Sequence, residues 1–224
     1  MHCRITLAGV TVDLLPDKAL QLPDSRTLIV ADVHWGKAAS FRALGVPIPH
    51  GTTRTGLDRL DSLLTQTGAT KLLVLGDLIH ARAGMQLQTI EALEQWRDAR
   101  RDLPITLVRG NHDYRAGDPP ASLNIRCVDA PLRVGPFALH HHPTEDASGY
   151  VLAGHVHPVA QVRGRARQKV TLPCFAFGER GGLLPAFGEF TGGAVIDQRN
   201  FARTFVIADD NVIPLEPSVA VETP

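Results

Sequence analysis

Cysteine is scarce in this chain. Its three residues, Cys3, Cys127 and Cys174, are widely spaced with no Cys-x-x-Cys pair. An odd number so placed makes a poor disulfide framework and no thiolate zinc site, and it points to a reducing, cytoplasmic setting. Net charge is lacking as well: 23 Lys+Arg stand against 23 Asp+Glu, a formal +0. No global field therefore draws the chain toward nucleic acid or membrane, and an anionic partner has to be held by a local patch or by metal charge. There is no uncharged apolar run of about 18 residues, and MHCRITLAGVTVDLL has no signal-peptide core, so the chain is expected to be neither secreted nor membrane-spanning. Repeats, low-complexity stretches and linkers are missing too. With 44% hydrophobic and 21% charged residues over 224 positions, a single globular domain over residues 1–224 is expected, its tail loosely ordered from about Asp209.

Histidine, by contrast, is concentrated. Of ten histidines only His2 and His50 stand apart from short clusters, the others being His34, His80, His112, His140, His141, His142, His155 and His157.

Short runs rich in Leu, Val and Ile, each closed by a polar or glycine-containing turn, predict buried strands at Thr27–Ala31, Lys71–Leu75, Ile105–Val108, Phe137–Leu139 and Tyr150–Ala153. Leu57, Leu60 and Leu64 recur at helical spacing and predict a helix over Thr52–Thr67, with Thr52 or Thr53 as its cap. A second helix is predicted over Gln86–Arg101, with Ile90, Leu93 and Trp96 inward and Arg97, Arg100 and Arg101 near the negative end of its dipole. After about Ile125 the helical period disappears, and Ile125–Val128, Val170–Phe177, Ala194–Asp197 and Arg203–Ala208 read as further strands. A β-α-β-α-β half followed by a mainly β half gives an α/β fold with two packed sheets.

Each of the first five strands runs into groups that bind metals: Asp32-Val33-His34, Gly76-Asp77, Gly110-Asn111-His112-Asp113, His140-His141-His142 and Gly154-His155-Val156-His157. Sites in open α/β sheets form off the carboxyl ends of strands, so these distant segments are expected to converge. Asp, His and Asn donors without thiolate suit Mn²⁺, Fe²⁺ or Zn²⁺. About seven ligands exceed one tetrahedral ion and fit two ions sharing a carboxylate, with Asp77 on the central strand as the bridge. Such a pair lowers the pKa of a shared water and clamps an in-line displacement at phosphorus.

The order of these motifs, spanning residues 32–157, resembles that of the calcineurin-like metallophosphoesterases. Asp32-Val33-His34-Trp35-Gly36-Lys37, Gly45-Val46-Pro47-Ile48-Pro49, His142-Pro143, Leu172-Pro173-Cys174-Phe175 and Leu184-Pro185-Ala186-Phe187-Gly188 resemble, within them, the bacterial ligase-associated DNA damage response endonucleases of the PdeM type. The resemblance implies a sandwich of two mixed β-sheets flanked by helices and two divalent ions, manganese foremost. It implies that Asp32, His34, Asp77 and His157 hold one ion while Asp77, Asn111, a histidine of the triplet and His155 hold the other. The family's single histidine before x-Pro favours His141 over His140, in line with strand alternation. His112 and Asp113 are implied outside the metal ligands, His112 stabilising the transition state or protonating the leaving oxygen and Asp113 orienting its imidazole. Trp35 and His80 depart from the family pattern, in which a smaller aliphatic and an Asp or Asn stand at these places. A DNA substrate, and association with a DNA ligase and a helicase, are likewise implied by the resemblance alone.

Other residues have plainer readings. His80 is a solvent-mediated metal contact or a loop residue, Arg82 a phosphate contact or a solvated charge, and Cys174 a buried packing residue. Gly192-Gly193 is a tight turn and no phosphate loop. Arg163, Arg165, Arg167 and Lys169 alternate with uncharged residues, and an extended Val162–Val170 would set all four on one face, either as a track for DNA phosphates or as the guard of an edge strand. Three functions follow: a DNA endonuclease or phosphodiesterase of DNA repair, a small-molecule phosphatase or cyclic-nucleotide phosphodiesterase using the same site, or a binding module that has lost its chemistry. The intact ligand set speaks against the last.

Overall fold

The computed structural model describes residues 1–49, 51–163 and 169–215. Four short segments open the chain as an antiparallel meander: β1 (Cys3–Leu7), β2 (Val10–Leu15), β3 (Ala19–Leu22) and β4 (Thr27–Ala31). From β4 on, helical crossovers make the pairing parallel, as connections of that length require. Helices α1 (Lys37–Ala43) and α2 (Thr52–Thr67) lead to β5 (Lys71–Leu75), α3 (Leu87–Ala99) leads to β6 (Ile105–Val108), and α4 (Asn111–Ala116) precedes β7 (Ile125–Val128). These seven strands form one sheet in chain order.

The second sheet comprises β8 (Leu132–Val134), β9 (Phe137–Leu139), β10 (Tyr150–Ala153), β11 (Pro158–Arg163), β12 (Lys169–Phe177), β13 (Gly181–Leu183), β14 (Ala194–Val195), β15 (Arg203–Ala208) and β16 (Asn211–Leu215). Its order is β14-β11-β12-β13-β10-β9-β8, with β15 on β12 and β16 on β15. Parallel β9, β10 and β13 lie among antiparallel neighbours, so both sheets are mixed.

Strand alternation divides the core. Ile29 and Ala31 of β4 face the second sheet, where they join Leu73, Leu75 and Val108 against Phe137, Leu139, Leu152, Phe175 and Phe177. Leu28 and Val30 of the same strand face the helices and meet Leu57, Leu60, Leu64 and Leu93. A strand covered on both faces has to be apolar throughout, which is why these runs stand out in the sequence.

Four expectations are corrected. Neither Thr52 nor Thr53 caps α2; the cap is Gly51 at φ 91° with no side-chain hydrogen bond, because the chain enters the helix through a left-handed residue that glycine adopts without strain. The tail expected from about 209 is, as far as Leu215, the strand β16, which pairs with β15 and buries Val212. Residues 194–197 keep only two strand positions. The basic segment is no single extended strand: β11 and β12 form an antiparallel hairpin that sets Arg163 opposite Lys169. Arg165 and Arg167 lie outside the described residues. β11 pairs with β12 over Val159–Arg163 and with β14 at Pro158 and Val159.

Phe177 is fully buried between the sheets, against Phe175 and Phe205. Phe177→Ala is expected to destabilise the protein by about 3–5 kcal/mol through the cavity it leaves, read as a drop in the urea midpoint at constant slope.

Candidate metal centre

The carboxyl ends of β4, β5 and β6 in one sheet and of β9 and β10 in the other open on a common edge. The Asp32 N–H donates to the Gly76 carbonyl (3.2 Å), the His34 N–H to the Asp77 carbonyl (2.8 Å) and the Gly154 N–H to the His141 carbonyl (3.1 Å), tying adjacent strand exits together. Five of the expected ligands leave their strands in the left-handed region: Asp32 (φ 53°), His34 (53°), Asp77 (50°), His155 (66°) and His157 (50°). Such backbone costs of order 1–3 kcal/mol per residue and persists only where the surroundings enforce it.

The glycines leading the motifs make room for the ligands. A Cβ on Gly76 would stand 2.1 Å from His141 Nδ1, one on Gly110 2.3 Å from Asp77 Oδ1, and one on Gly154 2.5 Å from Asp32 Oδ2.

Around Asp77 the donors fall into two groups. On one side Asp77 Oδ2 lies 3.9 Å from His34 Nε2, which lies 3.4 Å from His157 Nε2, and His157 Nε2 lies 3.5 Å from Asp32 Oδ1. On the other, Asp77 Oδ1 lies 3.4 Å from His141 Nε2, which is 3.0 Å from Asn111 Oδ1 and 3.1 Å from His155 Nδ1. The two oxygens of one carboxylate thus face the two groups. His140 turns away to Asp146 (3.0 Å), and the exposed His142 lies against His155, the rings tilted at 58° with centroids 4.0 Å apart.

Backbone carbonyls fix the imidazoles. His141 Nδ1–H donates to Leu75 O (3.1 Å) and His157 Nδ1–H to Thr191 O (3.0 Å), which leaves each Nε2 with a lone pair on the site. In His141 that lone pair meets the Asn111 carbonyl oxygen, and the buried Asp32 Oδ1 has no hydrogen-bond partner at all. Acceptors facing acceptors in a buried site fit divalent cations between them.

His112 and Asp113 depart from the expected arrangement. Asp113 does not orient the imidazole; its carboxylate accepts the Ile79 and Gly110 N–H groups at 3.1 and 2.9 Å and so fixes the start of α4. His112 Nδ1–H donates instead to the His80 carbonyl (2.6 Å), and its Nε2 lies 3.9 Å from Asp77 Oδ2. The helix start required a carboxylate cap, and a cap cannot also reach the neighbouring ring. His80 stacks on His112 with centroids 4.8 Å apart, and its own Nδ1 is buried without a partner. Trp35 is buried in the core, edge-on to Trp96, and Arg82 donates to the Ala116 carbonyl. Cys174 is fully buried, and burial pushes its thiol up to about 12, out of reach of nucleophilic use. The orienting carbonyls of Leu75, His80 and Thr191 had no signal in the sequence, since any residue supplies one.

Burial dominates the electrostatics. It lowers His34 to about 2, helped by Lys37, and lowers His141 and His80 to about 4. Desolvation also depresses His157, but its contact with Asp32 outweighs burial and raises it, so that position attracts positive charge. Asp113 is raised by burial to about 6.

A family model described as calcineurin-like phosphoesterase matches residues 25–167. Among solved structures, the Pseudomonas putida nuclease MPE is 44% identical, over 96% of this chain and 100% of that one, with a TM-score of 0.85. The E. coli phosphoesterase Yfce is 16% identical over 84% and 96%, with a TM-score of 0.40. No curated protein matches.

Two outcomes follow. His141 and His80 each carry a folded-state pKa of about 4 against an ordinary 6.5, so below pH 6.5 the unfolded chain binds more protons than the folded one. The chelated protein should lose stability as pH falls from about 6.5 toward 4, read from urea midpoints across that window. Gly76→Ala should drive a methyl into the His141 ring and lower metal affinity by about 10–100-fold, as displaced outer partners do, measured by calorimetry.

Proposed function

The chain belongs to the calcineurin-like phosphoesterase family, and we propose that within it this protein is a manganese-dependent DNA nuclease, an endonuclease or phosphodiesterase of DNA repair working in the cytoplasm. The observation that carries the reading is the 44% identity, over nearly the whole of both chains, with a protein described as a nuclease. It is supported by a donor set of Asp32, His34, Asp77, Asn111, His141, His155 and His157 gathered on one edge. The first ion would lie with Asp32, His34, Asp77 and His157, the second with Asp77, Asn111, His141 and His155. When bound, the pair supplies Lewis acidity at phosphorus and lowers the pKa of water.

The residues of the chain do the rest. Asp77 holds both groups in register. The His80 carbonyl fixes the His112 ring with Nε2 toward the site, where the protonated nitrogen donates to the leaving oxygen. Asp113 acts through the backbone, holding Gly110 and hence Asn111 in place. Partnership with a DNA ligase and a helicase rests on the sequence resemblance.

A formal charge of +0 favours a second reading, a phosphatase or cyclic-nucleotide phosphodiesterase with the same centre. A phosphate monoester, a small diester and labelled DNA assayed side by side separate the two; DNA uncut while the monoester is turned over would overturn the nuclease. A non-catalytic module is disfavoured by the complete ligand set.

Mn²⁺ is expected to restore hydrolysis after chelation at two ions per protomer, and Asp77→Ala to abolish it; elemental analysis showing one ion would refute the shared carboxylate. His112→Ala should keep both ions and lose about 10²–10⁴ in kcat, as removal of a general acid does. His141→Ala should lose one ion where His140→Ala loses none.

A further inference from the structure

Beside the metal centre lies a pocket that shares His34 with it and is otherwise lined by Lys37, Thr52, Thr53, Arg59, Phe187 and Phe190 among others. Lys37 opens α1, three residues after His34, and is half-buried. Among the described residues its ammonium makes no ion pair or hydrogen bond; its one side-chain contact of note is the Phe41 ring, 5.8 Å away. Burial lowers its pKa from the ordinary lysine value, and the charges of Asp32 and Asp77 at the metal centre oppose that shift.

Arg59 forms the opposite wall. Its guanidinium lies 4.1 Å over the Phe187 ring, donates to the Phe187 carbonyl and stands 4.0 Å from Glu189, while its Nε is buried without a partner. Glu189 offsets part of that charge, so Lys37 is the cation left to a ligand. A half-buried ammonium without an ion-pair partner, in a pocket that adjoins the metal centre through His34, matches a second phosphate.

We propose that this pocket is a subsite for the phosphate adjacent to the scissile one, contacted by Lys37 with Arg59 as the far wall. The inference rests on the nucleic-acid reading above and adds a selection rule: the enzyme discriminates a strand bearing consecutive phosphates from an isolated diester. Neither hydroxyl-rich Thr52 and Thr53 nor the exposed ring of Phe190 opposes this, since both suit a sugar or base following that phosphate.

The test uses the Mn²⁺-loaded protein and three thymidine dinucleotides: one with its single internal phosphodiester, one also phosphorylated at the 5′ end and one at the 3′ end. One of the phosphorylated forms should show kcat/KM higher by roughly tenfold or more, the scale of a hydrogen bond to a charged group. Lys37→Gln should bring that ratio to within about twofold of unity, and Lys37→Arg should restore most of it. Equal hydrolysis of all three by the wild type, or a Lys37→Gln protein that keeps the wild-type ratio, would overturn the subsite alone. Hydrolysis of none of the three, with both ions bound, would overturn the nucleic-acid reading beneath it.

Discussion

Asp32 and Asp77 are almost wholly buried, and among the described residues neither is paired with an arginine or lysine. Their neighbours are histidines, and burial holds His34 and His141 neutral far below ordinary pH. Two buried carboxylates without a compensating cation are untenable in a protein interior. The rest of the site is organised around that deficit: lone pairs of His141 and His157 turned inward by carbonyls, an amide oxygen from Asn111, and an orphaned oxygen on Asp32. Divalent charge is what this geometry is made to receive.

That constraint propagates into the fold. Bringing seven donors from five strand ends to one place forces the chain to turn within one or two residues of each strand, hence the left-handed backbone at five of them and the glycines whose missing side chains the ligands occupy. A strained edge of this kind needs a rigid support. It has one in β4 and β5, apolar on both faces and held between the helices and the second sheet. The bond by which the segment after β13 joins β4, from the Phe187 N–H to the Ala31 carbonyl, lies one residue before Asp32. Packing and site are therefore adjacent in the chain, and loss of one is felt in the other.

The same coupling explains what was legible in the sequence. Strands buried on both faces have to be continuous Leu, Val and Ile, so β4, β5, β6, β9 and β10 coincide with the runs Thr27–Ala31, Lys71–Leu75, Ile105–Val108, Phe137–Leu139 and Tyr150–Ala153. The ligands follow directly after them and were visible as motifs. The half-buried β1, whose alternate residues are exposed, carries no such run and passed unnoticed. The alternating cations of 163–169 do not say whether that segment is extended, because charge spacing carries no record of a reversal such as the antiparallel pairing of β11 with β12. Asp113 was misread for a related reason: proximity in sequence suggested a side-chain pair, whereas its partners are backbone groups, one of them in the loop after Asp77. What acts through the main chain leaves no residue type to recognise.

Neutral composition acquires meaning from where the charges lie. Many arginines are engaged in structure: Arg4 with Asp13, Arg100 with Asp61, Arg109 with Asp118 and Asp129, Arg199 with Asp197, and buried Arg97 with the carbonyls of Leu123 and Arg100. Cations already matched to a carboxylate release few counterions when a polyanion arrives. Recognition by such a protein is short-ranged, since screening confines charges at the surface to about 10 Å at moderate salt. Where cations are matched to carboxylates in this way, attraction at a distance contributes little, and selectivity rests on the geometry of the edge where the strand ends converge.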